Sequence, residues 1–321
     1  MKKLYGILFL LLVSTAGLYA QQDPHFTQYM FNYLHYNAAY AGLEGVTKMN
    51  VQYRNQWTGY APTGGTTGSA PETQFISIST PIYTQKIGFG FMALNDKIGS
   101  MNRLDFILSG AYQVEIGDNK LSVGLRSGFI SRGFDLRNLI FADPNDPIAQ
   151  DETLAEIRPE LGLGAFWQAE KYYVGISFNH LAKSSLSFGS APFRTPLSTH
   201  GYAVVGYNQE VANRWIISPS VLLKTDLNTY SFDVGCVVSS DDDNLYGGVT
   251  WRESEAINLI FGYNVLAKQK DQWLRLSYSF DFVVTEPKAK QRTSHEFLLS
   301  YILPKVKADA RKNQRTPRFQ F

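Results

Sequence analysis

The residues able to do chemistry are few and scattered. Five histidines, His25, His35, His180, His200 and His295, lack the paired helical spacing of zinc proteases, and the single Cys236 has no second thiol with which to share a metal or close a disulfide. No metal and no cofactor is expected. Thr63-Gly64-Gly65-Thr66-Thr67-Gly68 lacks the Gly-Lys-Ser/Thr ending of a phosphate-binding loop and opens no helix. Asp241, Asp242 and Asp243 read as a solvated turn, without the spaced ligands and glycine of a calcium loop. Asp143, Asn145, Asp146, Asp151 and Glu152 crowd one long link, where they offer a weak contact to a divalent ion or lipopolysaccharide. No Gly-x-Ser-x-Gly elbow occurs and no serine and histidine are favoured as a pair, so the chain reads as a non-enzyme.

Strands must position whatever these residues do. The chain has 5 Trp, 19 Tyr, 21 Phe and 26 Gly among 321 residues, with only 18% charged, a composition foreign to disorder and to coiled coils. After the first 20 residues no apolar run approaches the roughly 18 to 20 that a helix needs to cross a bilayer. Short alternating segments abound instead. From 104 to 116, Leu104, Phe106, Leu108, Gly110, Tyr112, Val114 and Ile116 fall on one face, opposite Asp105, Ser109, Gln113 and Glu115. The same parity recurs at 121 to 129 and at 274 to 282.

This alternation predicts fourteen strands, at 46–57, 72–81, 86–95, 102–116, 120–131, 159–169, 171–181, 198–209, 213–224, 228–239, 244–252, 255–266, 271–283 and 293–303. Most are longer than a soluble sandwich needs and match the roughly 9 to 11 tilted residues that span a membrane. Lipid cannot satisfy an open sheet edge, so such a sheet must close. The fold class is therefore all-β, a transmembrane antiparallel up-and-down β-barrel of about 14 strands, with both termini periplasmic. With the amino end inside, the links at 82–85, 117–119, 170, 210–212, 240–243 and 267–270 are the short periplasmic turns, and the longest, 58–71, 132–158 and 182–197, all fall outside.

Closure has a consequence for three charges. The first and last strands become neighbours, with the thirteenth beside them. Arg54, Asp281 and Glu296 are then expected at one height on the inner face, with Arg54 paired to at least one carboxylate in the closing seam.

Residues 1–20 carry Lys2 and Lys3, an apolar stretch through Leu12 and Val13, and a small residue at Ala20, the parts of a cleaved export signal. Gln21 follows, not cysteine, so a lipoprotein processed here is excluded. Without the signal, 28 basic residues balance 28 acidic ones, and a neutral chain has no field to recruit nucleic acid. The balance is uneven along the chain. The tail 305–321 carries Lys305, Lys307, Arg311, Lys312, Arg315 and Arg318 against Asp309 alone.

Gln22-Asp23-Pro24-His25-Phe26-Thr27-Gln28-Tyr29-Met30-Phe31-Asn32 resembles the opening motif of the PorP/SprF outer-membrane proteins of the Bacteroidetes type IX secretion and gliding machinery. Asn37-Ala38-Ala39-Tyr40-Ala41-Gly42 resembles the family's Asn-Pro-Ala-Tyr-Ala-Gly, with Ala38 in place of proline. Tyr53-Arg54-Asn55-Gln56-Trp57, Asn95-Asp96-Lys97-Ile98-Gly99, Tyr173-Val174-Gly175-Ile176-Ser177 with His180-Leu181, Pro219-Ser220-Val221-Leu222 with Lys224, Ser294-His295-Glu296 and Pro317-Arg318-Phe319 follow in order. The resemblance spans the whole chain after residue 20.

It implies an outer-membrane barrel, set among lipid and lipopolysaccharide, that serves protein export. It also implies a partner, either periplasmic ring lipoproteins of the secretion machine or one large exported adhesin held through its carboxyl-terminal sorting domain. No catalytic residue is implied. Two segments flank the barrel at 45–304. Residues 21–44, periplasmic or lumen-filling, are rich in Phe26, Tyr29, Met30, Phe31 and Tyr40, which either plug a lumen wider than side chains alone can fill or dock a partner. The basic tail 305–321 offers Arg315, Arg318, Phe319 and Phe321 to an acidic patch on a partner. A passive outer-membrane channel for small solutes is the alternative role, since a barrel alone does not define function.

Overall fold

The computed structural model describes residues 23–60, 70–82, 86–136, 153–182, 185–187, 194–196, 198–211, 215–240, 244–265, 272–285 and 291–303. A closed antiparallel barrel of 14 strands accounts for most of them. In chain order its first half is β1 (Lys48–Asn55), β2 (Glu72–Ile82), β3 (Ile87–Ile98), β4 (Met101–Ile116), β5 (Asn119–Asp135), β6 (Thr153–Gln168) and β7 (Tyr172–Asn179). A small separate hairpin, β8 (Ser185–Ser187) with β9 (Arg194–Pro196), interrupts the series. The wall resumes with β10 (His200–Tyr207) and its short continuation β11 (Gln209–Val211). It ends with β12 (Trp215–Thr225), β13 (Tyr230–Ser240), β14 (Leu245–Arg252), β15 (Ala256–Asn264), β16 (Trp273–Val283) and β17 (Thr293–Ile302).

Each strand pairs with its sequence neighbour, and β1 closes on β17 with Arg54 opposite Glu296. No unpaired edge remains for lipid to strand. The alternation places the apolar set outward: Leu108, Leu125 and Ile157 are 65%, 67% and 66% exposed. Their in-facing neighbours Ser109, Arg126 and Arg158 belong to the opposite face, and Ser109 and Arg126 are buried. Among the described residues no helix is long and apolar enough to cross a membrane.

Two strands outrun the sequence expectation. β5 and β6 continue through what reads as link at 132–135 and 153–158, in register from Ser131 opposite Ile157 to Asp135 opposite Thr153. The opposed Arg132 and Glu156 and the outward Ile157 keep the pairing favourable there. The strand expected at 198–209 breaks at Asn208, whose N–H turns aside to the Lys171 carbonyl at 2.7 Å.

The links 56–71, 136–152, 180–199 and 284–292 join strands at one end of the barrel, called the long-link end, which also holds the tight turns after β3, β12 and β14, and the remaining links join strands at the other, the short-link end. β1 begins and β17 finishes at the short-link end. Both chain ends, expected to share that side, lie outside the described residues. Asp23 lies in the long-link half, against Arg103, His180 and Tyr202, because the buried cations that match its charge are there. From Asp23 the segment runs down the lumen through three short helical turns, Tyr29–Phe31, Tyr33–Tyr36 and Ala38–Tyr40, to reach β1 at the short-link end.

Candidate functional site

The lumen is the site, and its occupant is the protein's own segment 23–44. This segment touches the wall from β1, where Asn50 donates to the Phe31 carbonyl, round to β17, where Glu296 accepts from Thr27. Its charged half sits near the long-link end. Asp23 accepts from Arg103 Nη1 at 2.6 Å and from the Tyr202 hydroxyl at 2.5 Å, and His180 Nε2 lies 3.0 Å away. Arg103 also grips Asp105 through Nε and Nη2, at 2.8 and 2.7 Å. Behind His180, Glu160 meets its Nδ1 at 2.7 Å and Arg126 at 3.2 Å, and Arg126 donates to the His35 carbonyl at 3.0 Å.

The closing seam holds the next residues. Arg54 is 1% exposed, with Nη2 2.7 Å from Asp281 and Nη1 3.0 Å from Glu296. The two carboxylates do more than pair with arginine. Glu296 accepts the backbone N–H groups of Thr27 and Gln28, both at 2.9 Å, and the Gln52 amide at 2.7 Å. The Thr27 hydroxyl donates to Asp281 at 2.8 Å and accepts from Arg54 at 2.8 Å. Arg54, Asp281 and Glu296 thus form the socket for the turn at 27–28, not only a stitch between strands.

A third charged chain runs from His25 Nδ1 to Lys224 at 2.6 Å, on to Asp233 at 2.9 Å, and through Arg252 to Glu255. Glu255 stands in the turn between β14 and β15 and accepts from Gln56 at 2.6 Å. Burial alone would raise its pKa, but Arg252 and Arg54 hold the carboxyl below the ordinary carboxylate range.

The lower half is held differently. Asn37 caps the turn Ala38–Tyr40 by accepting from Ala39 N at 2.9 Å, while its amide donates to the carbonyls of Ala165 and Ile176, both at 3.0 Å. Ser122 donates to the Ala39 carbonyl at 2.6 Å and Ser177 to the Tyr36 carbonyl at 2.9 Å. Backbone meets backbone where the wall has no side chain: a Cβ on Gly124 would overlap Ala39, and one on Gly88 would overlap Ala41. Tyr29, Tyr33, Tyr36 and Leu43 pack with Phe166, Tyr202 and Leu222 of the wall into one apolar cluster.

Of the aromatic residues expected to meet a partner, Phe26 and Tyr29 are fully buried. Their surface is spent on the lumen wall, with Phe26 edge-on to Phe75 and the Tyr29 hydroxyl bonded to Ser220, so neither is open to a second protein. Met30, Phe31 and Tyr40 instead line a cavity of about 760 Å³ that reaches Glu170, Lys171, Asn208 and Arg275 near the short-link end. The guanidinium of Arg275 lies over the Phe31 ring, 4.5 Å from its centroid. Arg315, Arg318, Phe319 and Phe321 lie outside the described residues, as do 1–22, the loop 63–68, Asp241 to Asp243 and the acidic group from Asp143 to Glu152. Sequence reading passed over Asp23, Arg103, Glu160 and His180 as a group. Only the inward parity of Asp105 and Arg126 on their strands was visible.

A closed barrel with an apolar girdle outside and a charged lumen filled by its own amino-terminal segment is an outer-membrane protein of the plugged β-barrel class. The family is narrower than that class. Residues 18–301 match the model of the type IX secretion system membrane protein PorP/SprF, and the chain belongs to this family. No curated protein matches it. Among solved structures it is similar to the Ralstonia pickettii toluene transporter TbuX, at 10% identity and TM-score 0.52, over 85% of this chain and 93% of that one. A Pseudomonas aeruginosa FadL homologue is similar more loosely, at 12% identity and TM-score 0.42, over 81% and 90%. At such identities the likeness to TbuX speaks for the barrel fold alone, and nothing is built on the second.

Proposed function

We propose that this barrel supports the export or surface anchoring of one large adhesin-like protein by the type IX secretion machinery, which it engages through that cargo's carboxyl-terminal sorting domain. Family membership supports the assignment to the machinery. The observation that carries the role is the filled lumen: segment 23–44 is pinned by the Arg54, Asp281 and Glu296 socket above and by wall glycines below, so the protein works through its rims and not as a conduit. The long-link end faces outward in this reading and the short-link end, with the cavity under Met30, Phe31 and Tyr40, faces the periplasm. Residues 1–20 are removed as an export signal, and the basic tail 305–321 docks on an acidic patch of a periplasmic ring lipoprotein.

Transport of a small solute, the role of the toluene transporter TbuX, has no support at 10% identity and conflicts with the occupied lumen. Affinity purification of the protein, tagged in the 58–71 link, from outer membranes of its own organism tests the proposal. Recovery of one large surface protein is the expected result. Ring lipoproteins alone would make the barrel a fixed part of the machine, and recovery of neither would remove the anchoring role.

A further inference from the structure

At the long-link end, Asp23, His180 and His200 converge from three separate parts of the chain: the start of the lumen segment, the residue after β7 and the first residue of β10. One donor atom from each lies within 4.8 Å of the other two. Both histidines are buried, and their rings stand perpendicular with centroids 5.2 Å apart. Each ring is oriented through Nδ1. His200 Nδ1 lies 2.9 Å from the Ser198 carbonyl, which can only accept, so Nδ1 carries a proton and the lone pair of the neutral ring is on Nε2. That Nε2 is buried and has no hydrogen-bond partner. His180 Nδ1 lies 2.7 Å from Glu160, which leaves Nε2 to face Asp23 at 3.0 Å.

We propose that Asp23, His180 and His200 form a divalent transition-metal site, of the kind that takes zinc, which fastens the lumen segment to the barrel wall. Two imidazole Nε2 atoms and one carboxylate are a common catalytic-type donor set for zinc, with a fourth position left to water. Histidine ligands whose Nδ1 protons are held by a carboxylate and by a carbonyl are the usual outer support of such sites. An orphaned buried nitrogen is costly unless something binds it, and a metal supplies that partner. Charge also favours a cation. Metal binding displaces the Nε2 proton that His180 donates to Asp23, and with that ring neutral Asp23, Asp105 and Glu160 are set against Arg103 and Arg126, one carboxylate in excess. Arg103 and the Tyr202 hydroxyl each occupy one lone pair of Asp23, and a carboxylate has about four. The metal takes the place of the His180 to Asp23 hydrogen bond and adds His200, which in its absence holds nothing through Nε2.

The consequence is mechanical. One ion joins the amino-terminal segment to both ends of the 180–199 link, and so couples the seating of the segment to the long-link rim. Full-length protein, extracted in detergent and stripped with chelator, is titrated with cobalt and then zinc. A single cobalt per chain with the strong visible bands of a tetrahedral site, bleached by zinc, is expected, together with a zinc-dependent rise in melting temperature. His200→Ala should weaken cobalt binding more than about tenfold and abolish the zinc-dependent rise in melting temperature, each variant being compared with its own metal-free form. Asp23→Asn, which alters no strand, serves as the second variant and should also lose the bands. His295→Ala, outside the cluster, should keep them. Absence of the bands in the wild type, or their persistence in both His200→Ala and Asp23→Asn, overturns the site.

Discussion

The two halves of the lumen segment are held by opposite means. Residues 23–28 bury Phe26 beside Phe75 and Ile107 but are otherwise gripped by charge, through Arg103 and His180 on Asp23, Lys224 on His25, and Glu296 and Asp281 on Thr27. Residues 33–43, apart from the His35 carbonyl that accepts from Arg126, are gripped by shape, with tyrosines in an apolar cluster and backbone seated where the wall is glycine. A charged grip needs the wall to present buried ions, which a barrel can do on any inward position. A steric grip needs side chains to be missing, which restricts the positions themselves.

Breaking the steric half should have the larger effect. Gly124→Val keeps a residue that strands favour but drives its branched carbon into the Ala39 backbone, an overlap beyond the roughly 1–3 kcal/mol of ordinary overpacking. The barrel should still assemble while residues 36–42 leave the wall, seen as loss of hydrogen-exchange protection there. Protection unchanged from the wild type would deny that glycine shapes the seat. Arg54→Met comes next, since it leaves Asp281 and Glu296 buried without their cation, at about 3–5 kcal/mol. Denaturant unfolding measures that loss, and adding Asp281→Asn with Glu296→Gln should recover part of it.

Asn37→Ala removes one cap and two donors to wall carbonyls, for about 1–3 kcal/mol by the same measurement. The smallest effect concerns pH. Glu255 has a folded-state pKa below its ordinary value of 4.5, so its contribution is complete above that value and declines as pH falls through the lower, folded-state one. Glu255→Gln should flatten this part of the stability profile. An equal slope in the variant would assign the acid sensitivity to other carboxylates.

The wall was legible because lipid enforces a strict period of two. Phe106, Leu108 and Tyr112 announce one face, Asp105 and Ser109 the other, and closure then brings Arg54, Asp281 and Glu296 to one height without any structure. The lumen segment was legible only in composition. Its aromatic richness says that it must be buried, but three short turns have no period from which a direction could be read, so its start at the long-link end went unforeseen. Phe26 and Tyr29 illustrate the limit, since an aromatic residue that fills a lumen and one that docks a partner look alike in sequence. The group around Asp23 was hidden for another reason. Arg103, Glu160, His180 and Tyr202 meet through neighbouring strands and one long link whose path no local spacing reveals.

Conductance of the purified full-length chain in a planar bilayer tests the filled lumen most directly, with Gly124→Val beside it under the same conditions. The wild type should stay at the membrane baseline and the variant should open. A wild-type barrel that conducts as freely as the variant would contradict a segment pinned across the lumen.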